Sequence, residues 1–91
     1  MAKAVKPVDE PKCLDQVDVV CIGKMIRARR TQSGLTIEQA SALCGVAKQT
    51  LMTIEHGNEK AQIGKVLQIL KGFGISLSIE QNNKEAENEW V

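Results

Sequence analysis

The sequence predicts an all-α domain of four helices, closed by one short C-terminal β-strand. Three observations lead there. Apolar side chains recur at three- and four-residue spacing in separate stretches between Asp18 and Phe73, as amphipathic helices require. Glycines stand where those stretches break, at Gly34, Gly45 and Gly57. Past Gly74 the period changes, and Ile75, Leu77 and Ile79 alternate with Ser76, Ser78 and Glu80, a two-residue repeat proper to a strand.

Residues 1–17 carry Pro7 and Pro11 among alternating charges with no sustained period, and read as a flexible arm. A domain of residues 18–73 follows. Asp18 is a good N-cap for the first helix, which places Ile22, Ile26 and Arg30 on one face and ends near Ser33 and Gly34. Thr36, with Gln39 three residues on, forms a capping-box pattern that opens helix two, whose expected buried face is Ile37, Ala40 and Leu43. At Cys44-Gly45-Val46 the period breaks in a tight turn suited to a glycine with positive φ. Helix three is expected from about Ala47 to Glu55 with Leu51 and Ile54 inward, ended by His56-Gly57-Asn58. The run Ile63, Val66, Leu67, Leu70 and Phe73 gives an amphipathic helix four, which stops at Gly72-Phe73-Gly74.

Residues 74–80 form the expected strand. A lone strand is not stable in water, and no second one is evident in the chain. The apolar stripe of Ile75, Leu77 and Ile79 either covers its own helices or pairs antiparallel with the same strand of a second subunit across a two-fold axis; the latter is the simpler partner and implies a homodimer. Residues 81–91, polar but for Ala86, Trp90 and Val91, are expected to be disordered.

A chain of 91 residues holds one domain with a modest core, which also favours an oligomer. No apolar run approaches the roughly 20 residues of a membrane helix, and the opening residues lack a signal-peptide stretch, so the expected location is cytoplasmic with no membrane partner. Cys13, Cys21 and Cys44 are odd in number without CxxC spacing, and His56 is the only histidine. They suggest reduced thiols and no metal site. One histidine, no glycine-rich phosphate loop and no paired acid and base argue against an enzyme, and no cofactor is implied.

The net charge of +1 conceals an uneven distribution. From Asp18 to Gly72 eight cations face four anions, whereas after Phe73 one lysine faces four glutamates. The folded part is therefore basic, as a protein with a polyanionic partner would be. Lys24, Arg27 and Arg29 fit a phosphate-facing or a merely solvated surface equally well.

Two short helices joined by a glycine turn make a helix-turn-helix arrangement, which alone is a weak signal. The full run Ile22-Gly23-Lys24-Met25-Ile26-Arg27-Ala28-Arg29-Arg30, Gly34-Leu35-Thr36, Ala40, Cys44-Gly45-Val46, Leu51 and Ile54-Glu55-His56-Gly57 is more specific, and over about 55 residues it resembles the Cro/repressor (XRE-type) helix-turn-helix family. With the alternating strand, the polar tail and Glu89-Trp90 added, the layout is most similar to the HipB antitoxins. The resemblance implies a lambda-repressor-like fold and a dimer with an intersubunit sheet. It also implies a repressor that binds operator DNA in its own promoter and a HipA-type toxin kinase as partner. A free-standing Cro-like regulator and a protein-only helix-turn-helix adaptor are the alternatives. The family's matching pair for Arg30 and Glu55 is a buried ion pair that fixes helix one to the end of helix three. Two departures are visible: Ile37 where the family usually has a phosphate-binding Gln, and Ala47 where it usually has a Ser or Thr cap.

In such a fold the second helix of the motif enters the major groove with its N-terminal residues toward base edges. Lys48 and Gln49, with Thr53 one turn on, are then the expected base readers, since Gln pairs bidentately with adenine and Lys donates to guanine O6/N7. Met52 faces outward beside them, toward a thymine methyl or nothing. Thr36, Thr50, Asn58, Lys60 and Lys65 are the expected phosphate contacts, which set register without reading sequence.

Overall fold

A computed structural model describes residues 5–13 and 17–79, and in it the chain forms α1 (Val19–Gln32), α2 (Ile37–Cys44), α3 (Lys48–Glu55) and α4 (Ile63–Gly72). Each boundary has a local cause. Asp18 sits in extended backbone and its carboxylate accepts the Cys21 N–H at 2.8 Å, which caps α1. Thr36 and Gln39 bond reciprocally, hydroxyl to N–H at 3.1 Å and N–H to amide oxygen at 2.9 Å, so the capping box opens α2 as its spacing predicts.

The turn after α2 depends on Gly45, whose φ of 71° is left-handed. Its N–H reaches Ala42 O, and the Val46 N–H reaches Ser41 O, the paired bonds of a Schellman ending. A side chain at Gly45 would strain that backbone and crowd Gln68. α3 starts from Ala47 with no side-chain cap, consistent with the missing Ser or Thr there.

The core comprises Ile26, Ala40, Cys44, Leu51, Ile54, Val66, Ile69, Leu70 and Phe73. α3 touches all three other helices, and α2 also packs on α4. Two expected faces need correction. Leu43 is 60% exposed, and the buried residues of α2 are Ala40, Ser41 and Cys44, with Ile37 half-buried beside them. That i, i+3, i+4, i+7 stripe places Leu43 off the face although its side chain is the larger. In α4, Ile63 and Leu67 are exposed, while Ile69, absent from the expected face, is fully buried. The stripe runs instead through Val66, Ile69, Leu70 and Phe73.

The cysteines divide differently from the expectation of three reduced thiols. Cys44 is buried, its thiol donates to Ile69 O at 3.8 Å, and burial raises its pKa from the ordinary 9.0. Cys13 and Cys21 are joined in a disulfide, their Cα atoms 6.1 Å apart. Composition misled here because an odd count hides a pair whose partners meet only once the arm lies along α1. The same arm is bonded at Val8, whose N–H donates to Thr31 Oγ1 at 2.9 Å and whose carbonyl accepts from Gln32 Nε2 at 2.9 Å.

After α4 the Ile75 N–H turns back to Leu70 O at 2.8 Å, and Ile75 rests half-buried on the core. No strand is formed among the described residues of this single chain, and Leu77 and Ile79 are 48% and 99% exposed. Glu80, the expected tail 81–91 with Trp90, and arm residues 1–4 and 14–16 lie outside the described residues. Among the described residues no helix is long and apolar enough to cross a membrane.

Candidate nucleic-acid interface

α3 is amphipathic over only two turns. Leu51 and Ile54 are buried at 0% and 3% exposure, which holds the helix to its neighbours. Lys48 and Gln49 are exposed, and Thr50, Met52 and Thr53 are half-buried. A polar edge is therefore presented to solvent on a helix whose other side is fixed in the core.

Gln49, Thr50 and Thr53 line one wall of an open cleft of about 400 Å³, with Ile54 at its base, and Ala61, Gln62 and Lys65 form the other wall at the start of α4. Four residues selected from the sequence, Gln49, Thr50, Thr53 and Lys65, thus meet in one place. Asn58 and Lys60 lie exposed in the preceding loop, where Asn58 Oδ1 accepts the Lys60 N–H at 2.8 Å and leaves the lysine head free of that bond. Thr36 caps α2 from just before its first residue and does not line the cleft, its hydroxyl engaged by the Gln39 N–H. Lys48 is also outside the cleft lining; its ammonium lies 3.2 Å from Glu38 Oε1.

Behind this edge are the supports. Arg30 Nε donates to Glu55 Oε2 at 2.7 Å and Nη2 to Oε1 at 3.1 Å, a two-pronged pair with side chains only 11% and 6% exposed. Arg30 Nη1 also donates to Leu35 O at 2.9 Å, so one guanidinium ties α1 to the end of α3 and to the entry of α2. Gly23 lets α1 approach further: a Cβ there would lie 2.5 Å from Ile54 O and 2.7 Å from Glu55 O. His56 ends α3, its Nδ1 2.7 Å from Met52 O. Among the described residues no three His, Cys, Asp or Glu side chains gather as a metal ion would need.

Sequence reasoning passed over three residues at or near this edge. Gln62 precedes α4 and lines the cleft; its place just ahead of the apolar period was the available signal. Gln68 donates from Nε2 to Cys44 O at 2.8 Å and to Gly45 O at 3.2 Å, bracing the turn between α2 and α3 from α4. Glu38 meets Lys48 across ten positions, which no helical spacing would reveal.

The family model for helix-turn-helix proteins matches residues 26–79, which contain α2, α3, α4 and most of the supports just described. An uncharacterised HTH-type transcriptional regulator, y4mF of Sinorhizobium fredii, is 36% identical over 58 residues, which cover 64% of this chain and 76% of that protein. Among solved structures, a HipB–O4 20mer complex superposes with a TM-score of 0.66 at 14% identity, over 76% of this chain and 97% of that one. A HipA–HipB–O2–O3 complex gives a TM-score of 0.67 at 14% identity with the same coverage. At that identity the two complexes testify to the fold.

Proposed function

The chain belongs to the helix-turn-helix family, and on that premise we propose that it is a sequence-specific DNA-binding transcriptional repressor. The observation that carries this reading is the exposed polar edge of α3, standing on a helix whose Leu51 and Ile54 are locked in the core. Lys48, Gln49 and Thr53, with Met52 beside them, read base edges in the major groove. The cleft between α3 and α4 receives one phosphate strand through Thr50 and Lys65, flanked by Asn58 and Lys60, and Thr36 with the first turn of α2 meets a further phosphate.

The working unit is a homodimer, supported by the exposure of Leu77 and Ile79 just after α4, which a second copy would cover. Its arrangement follows the HipB likeness: the strands of Ile75, Leu77 and Ile79 pair between subunits, two α3 helices address half-sites about one helical turn apart, and the protein represses its own operon. The same likeness supports the finer role of an antitoxin that binds a HipA-type kinase. Co-elution with a HipA-type kinase, should the neighbouring frame encode one, tests that role, and a free-standing repressor would elute alone.

The decisive experiment recovers bound duplexes from a random DNA pool with the wild-type protein, then with Lys48→Ala and Gln49→Ala. The expected result is a palindromic consensus that each variant relaxes at its own base, by about 1–3 kcal/mol of discrimination. A pool that emerges unenriched would sink the repressor and leave a protein-only adaptor.

A further inference from the structure

Lys48 occupies the first position of α3, the positive end of a helix, where a cation is electrostatically misplaced. No acidic residue lies in the first turn of α3 to offset it, and Ala47 supplies no cap. The compensating charge comes from another element. Glu38, on the first turn of α2, places Oε1 3.2 Å from Lys48 Nζ, with the two side chains 76% and 54% exposed. The carboxylate thus stands beside the helix start whose Thr36 is assigned to a phosphate, and it binds the lysine assigned to a base.

We infer that Glu38 is a specificity-determining residue, which positions Lys48 for a base and charges a toll on binding to phosphate alone. The inference rests on the DNA reading of α3. An ammonium has three donors, so Lys48 can keep one on Glu38 while offering the others to guanine O6/N7. At a matching site the pair therefore survives, and the lysine arrives already aimed. On unrelated DNA Lys48 has no base to meet, and its alternative partner is a backbone phosphate. A phosphate bound there is an anion set beside the Glu38 carboxylate, whether Lys48 leaves Glu38 or bridges the two, whereas a base edge carries no charge. Glu38 in this way weakens nonspecific complexes more than specific ones, which is how discrimination is gained from a repulsive element as well as an attractive one.

The pair is solvent-exposed, so the effect is modest, about 2- to 5-fold in affinity. The test measures binding by fluorescence anisotropy to the duplex selected by the wild-type protein and to a shuffled duplex of equal composition, in moderate salt. Glu38→Gln keeps an acceptor for Lys48 and removes the charge; it is expected to tighten the shuffled duplex about 2- to 5-fold while moving the selected one less. Glu38→Ala removes both, and should in addition weaken the selected duplex. In a Lys48→Ala background neither substitution should change the ratio of the two affinities. Equal tightening of both duplexes in the Lys48 protein would make Glu38 bulk charge only and overturn the inference, as would a changed ratio in the Lys48→Ala background. A wild-type protein that binds both duplexes alike removes the DNA-reading premise itself, a result distinct from either.

Discussion

Arg30 is the residue on which the placement of α3 most depends, because its guanidinium binds Glu55 and Leu35 O at once while almost sealed from water. Arg30→Ala leaves the Glu55 carboxylate buried without its partner, and should cost about 3–5 kcal/mol in a denaturant melt. A variant that melts like wild type would show that the pair is opened in solution. Gly23→Ala sets two effects against each other. Alanine is about 1 kcal/mol better than glycine inside a helix, but the added Cβ meets two backbone atoms of α3 that cannot swing aside. The clash should win, at about 3 kcal/mol, with α1 displaced and a lower melting temperature. Cys44 adds a pH dependence whose sign is fixed by burial. Its folded pKa is raised above 9.0 because the thiolate is disfavoured in the core, so its contribution to stability is whole below that value. Stability should then decline as pH climbs through the raised value, and Cys44→Ala should flatten that alkaline limb of the melting curve.

At the scale of elements, the caps and turns were legible and the faces only partly so. Asp18, the Thr36–Gln39 box and Gly45 act through their nearest neighbours in sequence, so their residue types suffice to read them. Leu43 and Ile69 show the opposite case. A short helix has room for two apolar stripes, and the choice between them is made by what packs above it; small Ala40, Ser41 and Cys44 admit α3 and α4 where bulky Leu43 would hold them off. The arm tie was illegible for a related reason: Cys13 meets Cys21, and Val8 meets Thr31 and Gln32, through contacts without a repeat. Reduction of the Cys13–Cys21 bond releases a short loop and should lower stability by about 2 kcal/mol. A protein whose melting temperature is the same with and without reductant, its thiols verified by mass, would show that this bond adds nothing to stability.

For the whole molecule, the fold class was readable because four short periods with glycine joints leave few ways to close one core. The candidate interface was readable as to α3, since Leu51 and Ile54 mark its inner side and leave the rest outward. Glu38, Gln62 and Gln68 were not, because Glu38 and Gln68 bond to residues of other elements and Gln62 matters only through the cleft it lines with α3. Truncation after Gly74 removes the exposed Leu77 and Ile79; on the dimer proposed above it should convert dimers to monomers in sedimentation and weaken cooperative operator binding, and an unchanged sedimentation coefficient would remove the strand pairing. Gln68 bears on that outcome. It grips both carbonyls at the bend between α2 and α3, yet it belongs to the helix whose Ile63 and Leu67 lie bare to solvent. On the DNA reading proposed above, a second subunit seated on that bare flank would shift α3 through Gln68, and so tune which sequences are recognised without approaching the nucleic acid.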